Sequence, residues 1–200
     1  MTLFPKGHRR AGRFQDALVW ATQLHAGQMR KGTSIPYIAH LLGVTSIALH
    51  YGADEDEAIG ALLHDAPEDA GGAATLHEIE QRFGSRVAGI VLGCTDTLEV
   101  PKPPWRQRKE TYLAHLSDAP ASVRLVSASD KLHNARANLA DYYVLGDALW
   151  ARFNGGRDGT LWYYRALVEV FRAGGTTPLI DELVRTVSEL ERVVAQEGSR

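Results

Sequence analysis

Cysteine is the scarcest residue of this 200-residue sequence, since Cys94 is the only one. A single cysteine excludes an internal disulfide, so the fold has to be held by a packed core, and a reducing cytoplasm is the simplest compartment for it. Cys94 lies in the segment VLGCTDT without a neighbouring histidine. We therefore interpret it as a small core residue rather than as a nucleophile.

Long apolar runs and an excess of charge of one sign are also missing. No segment approaches the roughly 18–20 apolar residues that cross a bilayer, and the N-terminal segment MTLFPKGHRRAGRF lacks the apolar core of a secretory signal. The formal net charge is only -2, so no overall basic field is available to hold nucleic acid. We expect a cytoplasmic protein that binds neither membranes nor nucleic acid and meets any anionic ligand with a local basic cluster.

The period-two alternation that is typical of strands is hard to find, whereas helical spacing is widespread. The composition, 44% hydrophobic and 23% charged, is that of a globular chain. The sequence predicts an all-α fold with a single domain over 1–200, its core over about 13–175 and a C-terminal helix over about 178–195. The predicted helices cover 11–27, 37–51, 55–66, 75–83, 85–94, 105–116, 120–140, 160–173 and 178–195.

Several local signals predict where these helices begin. Asp54 with Glu57, and Thr75 with Glu78, have the spacing of a capping box. Thr177 precedes a proline, the order that is favoured at a helix start. Stretches rich in glycine, proline and small polar residues predict loops over 28–36, 70–74, 95–104 and 153–159.

The segment HDAPED concentrates four ionisable residues, His64, Asp65, Glu68 and Asp69, behind an apolar approach. On a continuous helix all four could line one cavity. Burying three carboxylates with an imidazole is costly unless a cation compensates them. Metal binding is therefore the economical interpretation, and a solvated acidic helix end at 68–69 is the alternative.

The segment RLVSASDKLHNARANLADY supplies a second polar face. Asp130 and Asn134 are one helical turn apart, beside an apolar stripe that faces the core. An aspartate in such a helix requires a metal or a salt bridge. For His133 we favour a structural role or a hydrogen bond to a neighbouring carboxylate over a role as an additional metal ligand.

Three segments in this order, RKGTSIPYIAH ending at His40, HDAPED at 64–69 and DKLHNAR at 130–136, resemble an HD-domain phosphohydrolase. More narrowly, they resemble the RelA/SpoT-type alarmone hydrolases, and RFNGGRDGTLWYYR at 152–165 is similar to the stand-alone small members. The resemblance runs from about residue 13 to 173. It implies an HD-domain helical bundle with the metal site between its central helices.

The resemblance also implies the metal ligands and the chemistry. The family binds Mn²⁺ through His, His-Asp and Asp, which here are His40, His64, Asp65 and Asp130, and such ligands also suit Zn²⁺, Fe²⁺ or Co²⁺. We expect a metal-dependent enzyme of the stringent response that removes the 3′-pyrophosphate of (p)ppGpp-type nucleotides and releases pyrophosphate with GDP or GTP.

The remaining site residues follow from the same resemblance. Glu68 and Asp69 match the acidic pair expected to orient the attacking water and relay its proton. Arg30 and Lys31 match a pair that contacts phosphate or stacks on the base, with ordinary surface charges as the alternative. The nucleoside is expected to contact two further residues, Asn134 and Tyr163. Four cations, Lys102, Arg106, Arg108 and Lys109, either reach distal phosphates or form a solvated helix face.

Two departures from the family pattern affect these expectations. Pro67 removes a backbone donor inside HDAPED, so the helix should kink or restart there. Ala137 stands where long alarmone enzymes tend to carry a polar residue near the nucleoside, so base selectivity could differ.

Other functions stay open at this point. Adenosine alarmones are an alternative substrate for the same chemistry. HD-type deoxynucleotide phosphatases and cyclic-nucleotide phosphodiesterases share the metal site but not the RKG…PYIxH loop. A non-catalytic alarmone sensor is disfavoured because all four ligands and both acidic residues are present. The sequence does not decide the oligomeric state.

Overall fold

The structure, a computed structural model, describes residues 10–197, and over these residues it contains helices and no strand. The all-α prediction is therefore confirmed. Residues 1–9, which belong to the N-terminal segment considered above, lie outside the described range. The helices are α1 (Arg10–Leu24), α2 (Ile38–His50), α3 (Glu55–Leu63), α4 (Ala66–Asp69), α5 (Ala73–Phe83), α6 (Ser85–Cys94), α7 (Trp105–Ser117), α8 (Ala121–Leu145), α9 (Gly156–Ala173) and α10 (Pro178–Glu197).

The helix predicted over 55–66 is in fact two helices. α3 ends at Leu63, and α4 begins at Ala66 with Pro67 in its first turn. Proline has no N–H with which to bond the carbonyl of Leu63, so the helical hydrogen-bond ladder cannot continue through it. The restart expected at Pro67 is confirmed, and the continuous helix that would have turned all four ionisable residues into one cavity is absent.

Two of the three predicted helix starts are confirmed. The side chain of Asp54 accepts from the backbone N–H of Glu57, and the carboxylate of Glu57 accepts from that of Asp54, which completes the capping box of α3. At α10, the hydroxyl oxygen of Thr177 accepts from the backbone N–H of Ile180.

The third predicted start is wrong. α5 begins at Ala73, and Thr75, already inside it, donates its hydroxyl to the carbonyl of Ala70. Gly72 precedes α5 with φ of 63°, a conformation that glycine adopts without strain.

The predictions around the long helix α8 also need correction. α8 continues to Leu145, beyond the predicted end at 140, and a 3₁₀ segment follows over Gly146–Arg152. α9 begins at Gly156, inside the segment 153–159 that we predicted to be a loop. Glycines at 155 and 159 give this region room for a neighbour, because a Cβ atom on Gly155 would lie 2.7 Å from the ring of Trp105.

Two hydrophobic clusters form the core and meet at α2. The larger cluster contains buried residues of α2 and of the helices from α6 to α10. The smaller cluster contains buried residues of α1, α2, α3, α5 and α6. Val44 of α2 is buried in the larger cluster and Leu41 in the smaller one. His40, the neighbour of Leu41, therefore lies where the two clusters adjoin. Over the described residues, no helix is long and apolar enough to cross a membrane.

Candidate active site

Three segments bring two histidines and two aspartates together. His40 comes from α2, His64 and Asp65 from the junction between α3 and α4, and Asp130 from α8. One ligand atom from each of His40, His64 and Asp65 can be chosen so that the three lie within 4.8 Å of one another. Oδ2 of Asp65 lies 3.4 Å from Nε2 of His40 and 3.0 Å from Nε2 of His64.

Asp130, which comes from α8, lies close to the same two imidazoles. Its Oδ1 lies 3.3 Å from Nε2 of His40 and 3.6 Å from Nε2 of His64. Both imidazole Nε2 atoms therefore face carboxylate oxygens contributed by two different helical segments.

The orientation of His64 fits a metal ligand. Its Nδ1 lies 2.9 Å from the carbonyl oxygen of Ala61, which can only accept, so in the neutral ring Nδ1 carries the proton and Nε2 has the lone pair. Nε2 is buried and has no hydrogen-bond partner with acceptable geometry. Two imidazoles with two carboxylates are a donor set that suits a divalent first-row ion.

The charges of the group are consistent with this geometry. Burial opposes ionisation of Asp65, yet His64 and His40 hold the pKa of this carboxyl well below its usual value. Burial likewise opposes ionisation of Asp130, and Lys131 with the two histidines holds its pKa well below its usual value. Both carboxylates are therefore ionised at neutral pH.

Neighbouring side chains orient both aspartates. The hydroxyl of Tyr37 donates to Oδ2 of Asp65 over 2.5 Å. Lys131 donates to Oδ2 of Asp130, and the amide of Asn134 donates to Oδ1, each over 2.6 Å. Sequence reasoning missed Tyr37 and Lys131, although both lie inside the motifs PYI and DKL that were singled out.

The group opens into a cavity of about 420 Å³. Among the predicted site residues, those that line it are Arg30, Lys31, His40, Asp65, Glu68, Asp130, Asn134 and Tyr163. Asp69 does not line the cavity, and His64 is buried beneath it.

The two members of the predicted acidic pair differ in their surroundings. Oε1 of Glu68 accepts from the backbone N–H of Asp96 over 2.6 Å, and burial, with the charge of Asp65, raises the pKa of Glu68 to about 7. Asp69 is exposed and accepts from the amide of Gln28 over 2.8 Å. We expected both acids to line one cavity on a continuous helix. The helix is interrupted at His64 and Asp65, and only Glu68 lines the cavity.

Three of the four predicted substrate residues, Arg30, Lys31 and Asn134, are hydrogen-bonded to protein groups. Arg30 contacts His133 over 3.2 Å and donates to the side-chain oxygen of Asn134 over 3.1 Å. Lys31 is exposed and donates to the side-chain oxygen of Asn154 over 3.2 Å. The hydroxyl of Tyr163 is buried in the cavity wall without a partner.

The four cations near α7 divide into two pairs. Arg108 and Lys109 line the cavity and both pair with Asp96. Arg106, in contrast, is exposed and stacks on the ring of Trp162, and Lys102 lies at 3.9 Å from Glu68 without lining the cavity. The solvated-face alternative therefore describes Arg106.

His133 and Cys94 are both shielded from solvent, at least in part. Nδ1 of His133 lies 3.0 Å from Nδ1 of His40, so of the two roles we favoured for His133, the hydrogen bond is made to an imidazole and not to a carboxylate, and a structural role stays a prediction. Burial, together with His40 and Arg30, lowers the pKa of His133 to about 4. Cys94 is buried, and burial raises the pKa of its thiol, in agreement with its interpretation as a core residue.

A family model described as "HD domain" matches residues 17–161, which include the whole histidine and aspartate group. The chain belongs to the HD domain family. This family implies a divalent metal, and His40, His64 and Asp65 of this HD-domain chain are close enough to hold one.

Several curated relatives of this HD-domain chain are named for the same enzyme activity. It is 39% identical over 124 residues to a guanosine-3′,5′-bis(diphosphate) 3′-pyrophosphohydrolase MESH1 of Xenopus tropicalis, covering 60% of this chain and 66% of the relative. It is 35% identical over 126 residues to a guanosine-3′,5′-bis(diphosphate) 3′-pyrophosphohydrolase of Aquifex aeolicus, covering 63% of this chain and 18% of the relative. The match thus spans just under two thirds of the frog protein and a small part of the bacterial one.

A solved structure gives a longer match. The structure described as "A metazoan ortholog of SpoT hydrolyzes ppGpp and plays a role in starvation responses" superposes with a TM-score of 0.70 at 25% identity, and the match covers 93% of this chain and 96% of the other. The similarity therefore extends over nearly the whole fold described above.

Proposed function

We propose that this HD-domain chain is a metal-dependent 3′-pyrophosphohydrolase of (p)ppGpp-type alarmones. The observation that carries the proposal is one cavity that combines a group of two histidines and two aspartates with a half-buried glutamate and several cations. The names of the relatives support the same substrate class. The single cysteine supports a reducing compartment, the cytoplasm, as the place of action.

In this proposal, the metal is held by His40, His64, Asp65 and Asp130. A divalent ion there, with Mn²⁺ as our proposal and Zn²⁺, Fe²⁺ or Co²⁺ as alternatives, would polarise a phosphoryl oxygen and lower the pKa of a water. Tyr37, Lys131 and Asn134 hold the two carboxylates in place through the hydrogen bonds described above.

Glu68 is proposed as the general base. It lines the cavity, and a pKa of about 7 lets it take a proton from water near neutral pH. Water attacks the phosphorus that is bonded to the ribose 3′ oxygen, the bond to that oxygen breaks, and pyrophosphate leaves. The proton taken up by Glu68 balances the proton that the released 3′ oxygen requires. Asp69, which accepts from Gln28 outside the cavity lining, stays a proposed partner of Glu68 in orienting the water and relaying its proton.

The nucleotide is proposed to contact Arg30, Lys31, Asn134 and Tyr163. Arg30 and Lys31 supply positive charge at one wall of the cavity, and Arg108 with Lys109 supplies it at another. The hydroxyl of Tyr163 is buried in the cavity wall without a protein partner, so a hydrogen bond to the nucleotide would satisfy it. Cations at two walls of one cavity suit a substrate with phosphates at both its 5′ and 3′ positions.

The test is to incubate the Mn²⁺-loaded protein with guanosine and adenosine alarmones, deoxynucleotides and cyclic nucleotides, and to identify each product. We expect pyrophosphate from 3′-pyrophosphorylated nucleotides, and the relative rates decide between guanosine and adenosine. Asp65→Ala and Asp130→Ala should each abolish turnover and keep the helical circular dichroism of the wild type. Release of monophosphate only, or no turnover with Mn²⁺, would contradict the proposal.

A further inference from the structure

Arg30 contacts two side chains that are themselves bonded to proposed metal ligands. One guanidinium nitrogen, Nη1, lies 3.2 Å from Nδ1 of His133, and the other, Nη2, donates to the side-chain oxygen of Asn134 over 3.1 Å. His133 in turn contacts His40, and Asn134 contacts Asp130. A residue expected to contact substrate is therefore also linked to α2 and α8 at the metal group.

The chemistry of these groups determines which nitrogen carries each proton. A guanidinium has only donors, so Nδ1 of His133 has to accept from Arg30, and the ring proton of neutral His133 is on Nε2. Nδ1 of His40, 3.0 Å from the same nitrogen, then has to be the donor. The lone pair of His40 is left on Nε2, the atom that faces Asp65 and Asp130.

The opposite arrangement would disable the ligand. If His133 carried its proton on Nδ1, that proton would point at His40, and neutral His40 would be protonated on Nε2. Nε2 could then not donate its lone pair to a cation. The cation on Arg30 disfavours this arrangement because it would place an N–H opposite the guanidinium.

We propose that His133 is a positioning residue that fixes His40 in its metal-binding tautomer, and that Arg30 selects this tautomer by donating to His133. The inference rests on the proposed metal centre and assigns a role to a residue outside the cavity lining.

The backbone of α2 holds the ring of His133 in this position. A Cβ atom on Gly43 would lie 2.3 Å from both Nε2 and Cδ2 of His133, so the ring packs directly against the glycine. Gly43 is one helical turn after His40, within α2. A methyl group at 43 would displace the ring without removing any polar group.

The first test measures Mn²⁺ affinity by calorimetry in the absence of nucleotide, so that any role of Arg30 in substrate binding does not enter. We expect His133→Ala to weaken binding about 10- to 100-fold, the range seen when the partner of a ligating histidine is removed. Arg30→Met should also weaken Mn²⁺ binding. His115→Ala, at an exposed histidine of α7, is the matched control and should bind as the wild type does.

The second test uses Gly43→Ala alone and in combination. We expect the single variant to weaken Mn²⁺ binding, and we expect no further loss when it is added to His133→Ala, because the displaced ring is then absent. Gly89→Ala is the control, since a Cβ atom there meets nothing within 4 Å. Equal losses from Gly43→Ala in both backgrounds would show that it does not act through His133.

The third test observes the tautomers directly. Two-bond proton–nitrogen spectra of the metal-free protein, at a pH where both rings are neutral, should place the proton of His40 on Nδ1 and that of His133 on Nε2. Arg30→Met should shift the proton of His133 toward Nδ1. The reverse assignment in the wild type would overturn the inference.

These outcomes separate the inference from the proposed function. Failure of the wild type to bind Mn²⁺ would contradict the metal centre, and the spectra would still decide the tautomers. Wild-type affinity retained by His133→Ala would overturn the inference and leave the metal centre intact.

Discussion

Glu68 and Asp69 are adjacent acids in different environments. Glu68 is half-buried, accepts a backbone N–H and lines the cavity, whereas Asp69 is exposed and bonded to Gln28. A general base at neutral pH needs a pKa near the pH at which it works. Burial provides this for Glu68, whose pKa is raised to about 7.

The first prediction follows from this role. Glu68→Gln keeps the side chain's shape and an oxygen for the N–H of Asp96, but it cannot accept a proton. We expect kcat to fall about 10²- to 10⁴-fold with little change in Mn²⁺ affinity. Steady-state kinetics measure the first quantity and calorimetry the second. Glu80→Gln, at an exposed site of α5, is the matched control, and a fall below 10-fold in Glu68→Gln would remove Glu68 from the proton transfer.

The second prediction concerns stability against pH in the metal-free protein. The pKa of Glu68 is about 7 in the folded state and 4.5 as its ordinary value, so between these values the folded state binds more protons than the unfolded state. The contribution of Glu68 to the free energy of unfolding is full below pH 4.5 and is lost as the pH rises from there through 7, by on the order of 3 kcal/mol. Urea unfolding in a chelator at several pH values measures it. The difference between wild type and Glu68→Gln should show this slope, and a difference independent of pH would contradict the raised pKa.

At the scale of helices, local signals in the sequence predicted most elements but not all their boundaries. The capping box at Asp54 and the break at Pro67 depend on groups within a few residues, and both were predicted correctly. The cap at Thr75 was not, because its hydroxyl bonds the carbonyl of Ala70 instead. α9 begins at Gly156, next to Gly155, where the ring of Trp105 packs closely, and this contact with a distant residue is one that no local pattern contains.

The same limit applies to the candidate site. The motifs indicated His40, His64, Asp65 and Asp130, and the structure brings these four side chains together. Contacts between motifs could not be predicted, because they depend on how α2 and α8 pack. The contact of His133 with His40 joins residues that are 93 positions apart.

The third prediction compares the two capping boxes that the sequence indicated. Asp54→Ala should lower the free energy of unfolding by about 1 kcal/mol, because it removes the acceptor for the N–H of Glu57 at the start of α3. Glu78→Ala should change it by less than about 0.5 kcal/mol, since Glu78 forms only an exposed pair with Arg82. Urea titrations measure both free energies. Equal losses in the two variants would indicate that Glu78 does form a capping box with Thr75.

At the scale of the whole molecule, the candidate metal centre joins segments from different parts of the core. α2 contacts both hydrophobic clusters, α3 packs mainly in the smaller one and α8 in the larger one. An ion bound by His40, His64, Asp65 and Asp130 would therefore connect all three segments. Because unfolding separates them, ion binding should stabilise the folded state as a unit.

The fourth prediction is a rise in melting temperature with Mn²⁺. With free Mn²⁺ at 100 times its dissociation constant, binding to the folded state alone adds about 2.7 kcal/mol. For a chain of this size that corresponds to roughly 5–10 °C.

The rise should also depend on pH. Although burial opposes the charged form, Asp65 and Asp130 raise the pKa of His64 well above its usual value, so protons compete with Mn²⁺ for this ligand. The rise, measured by calorimetry, should therefore shrink as pH falls and vanish in Asp65→Ala and Asp130→Ala. A rise that persists in both variants would place the ion elsewhere.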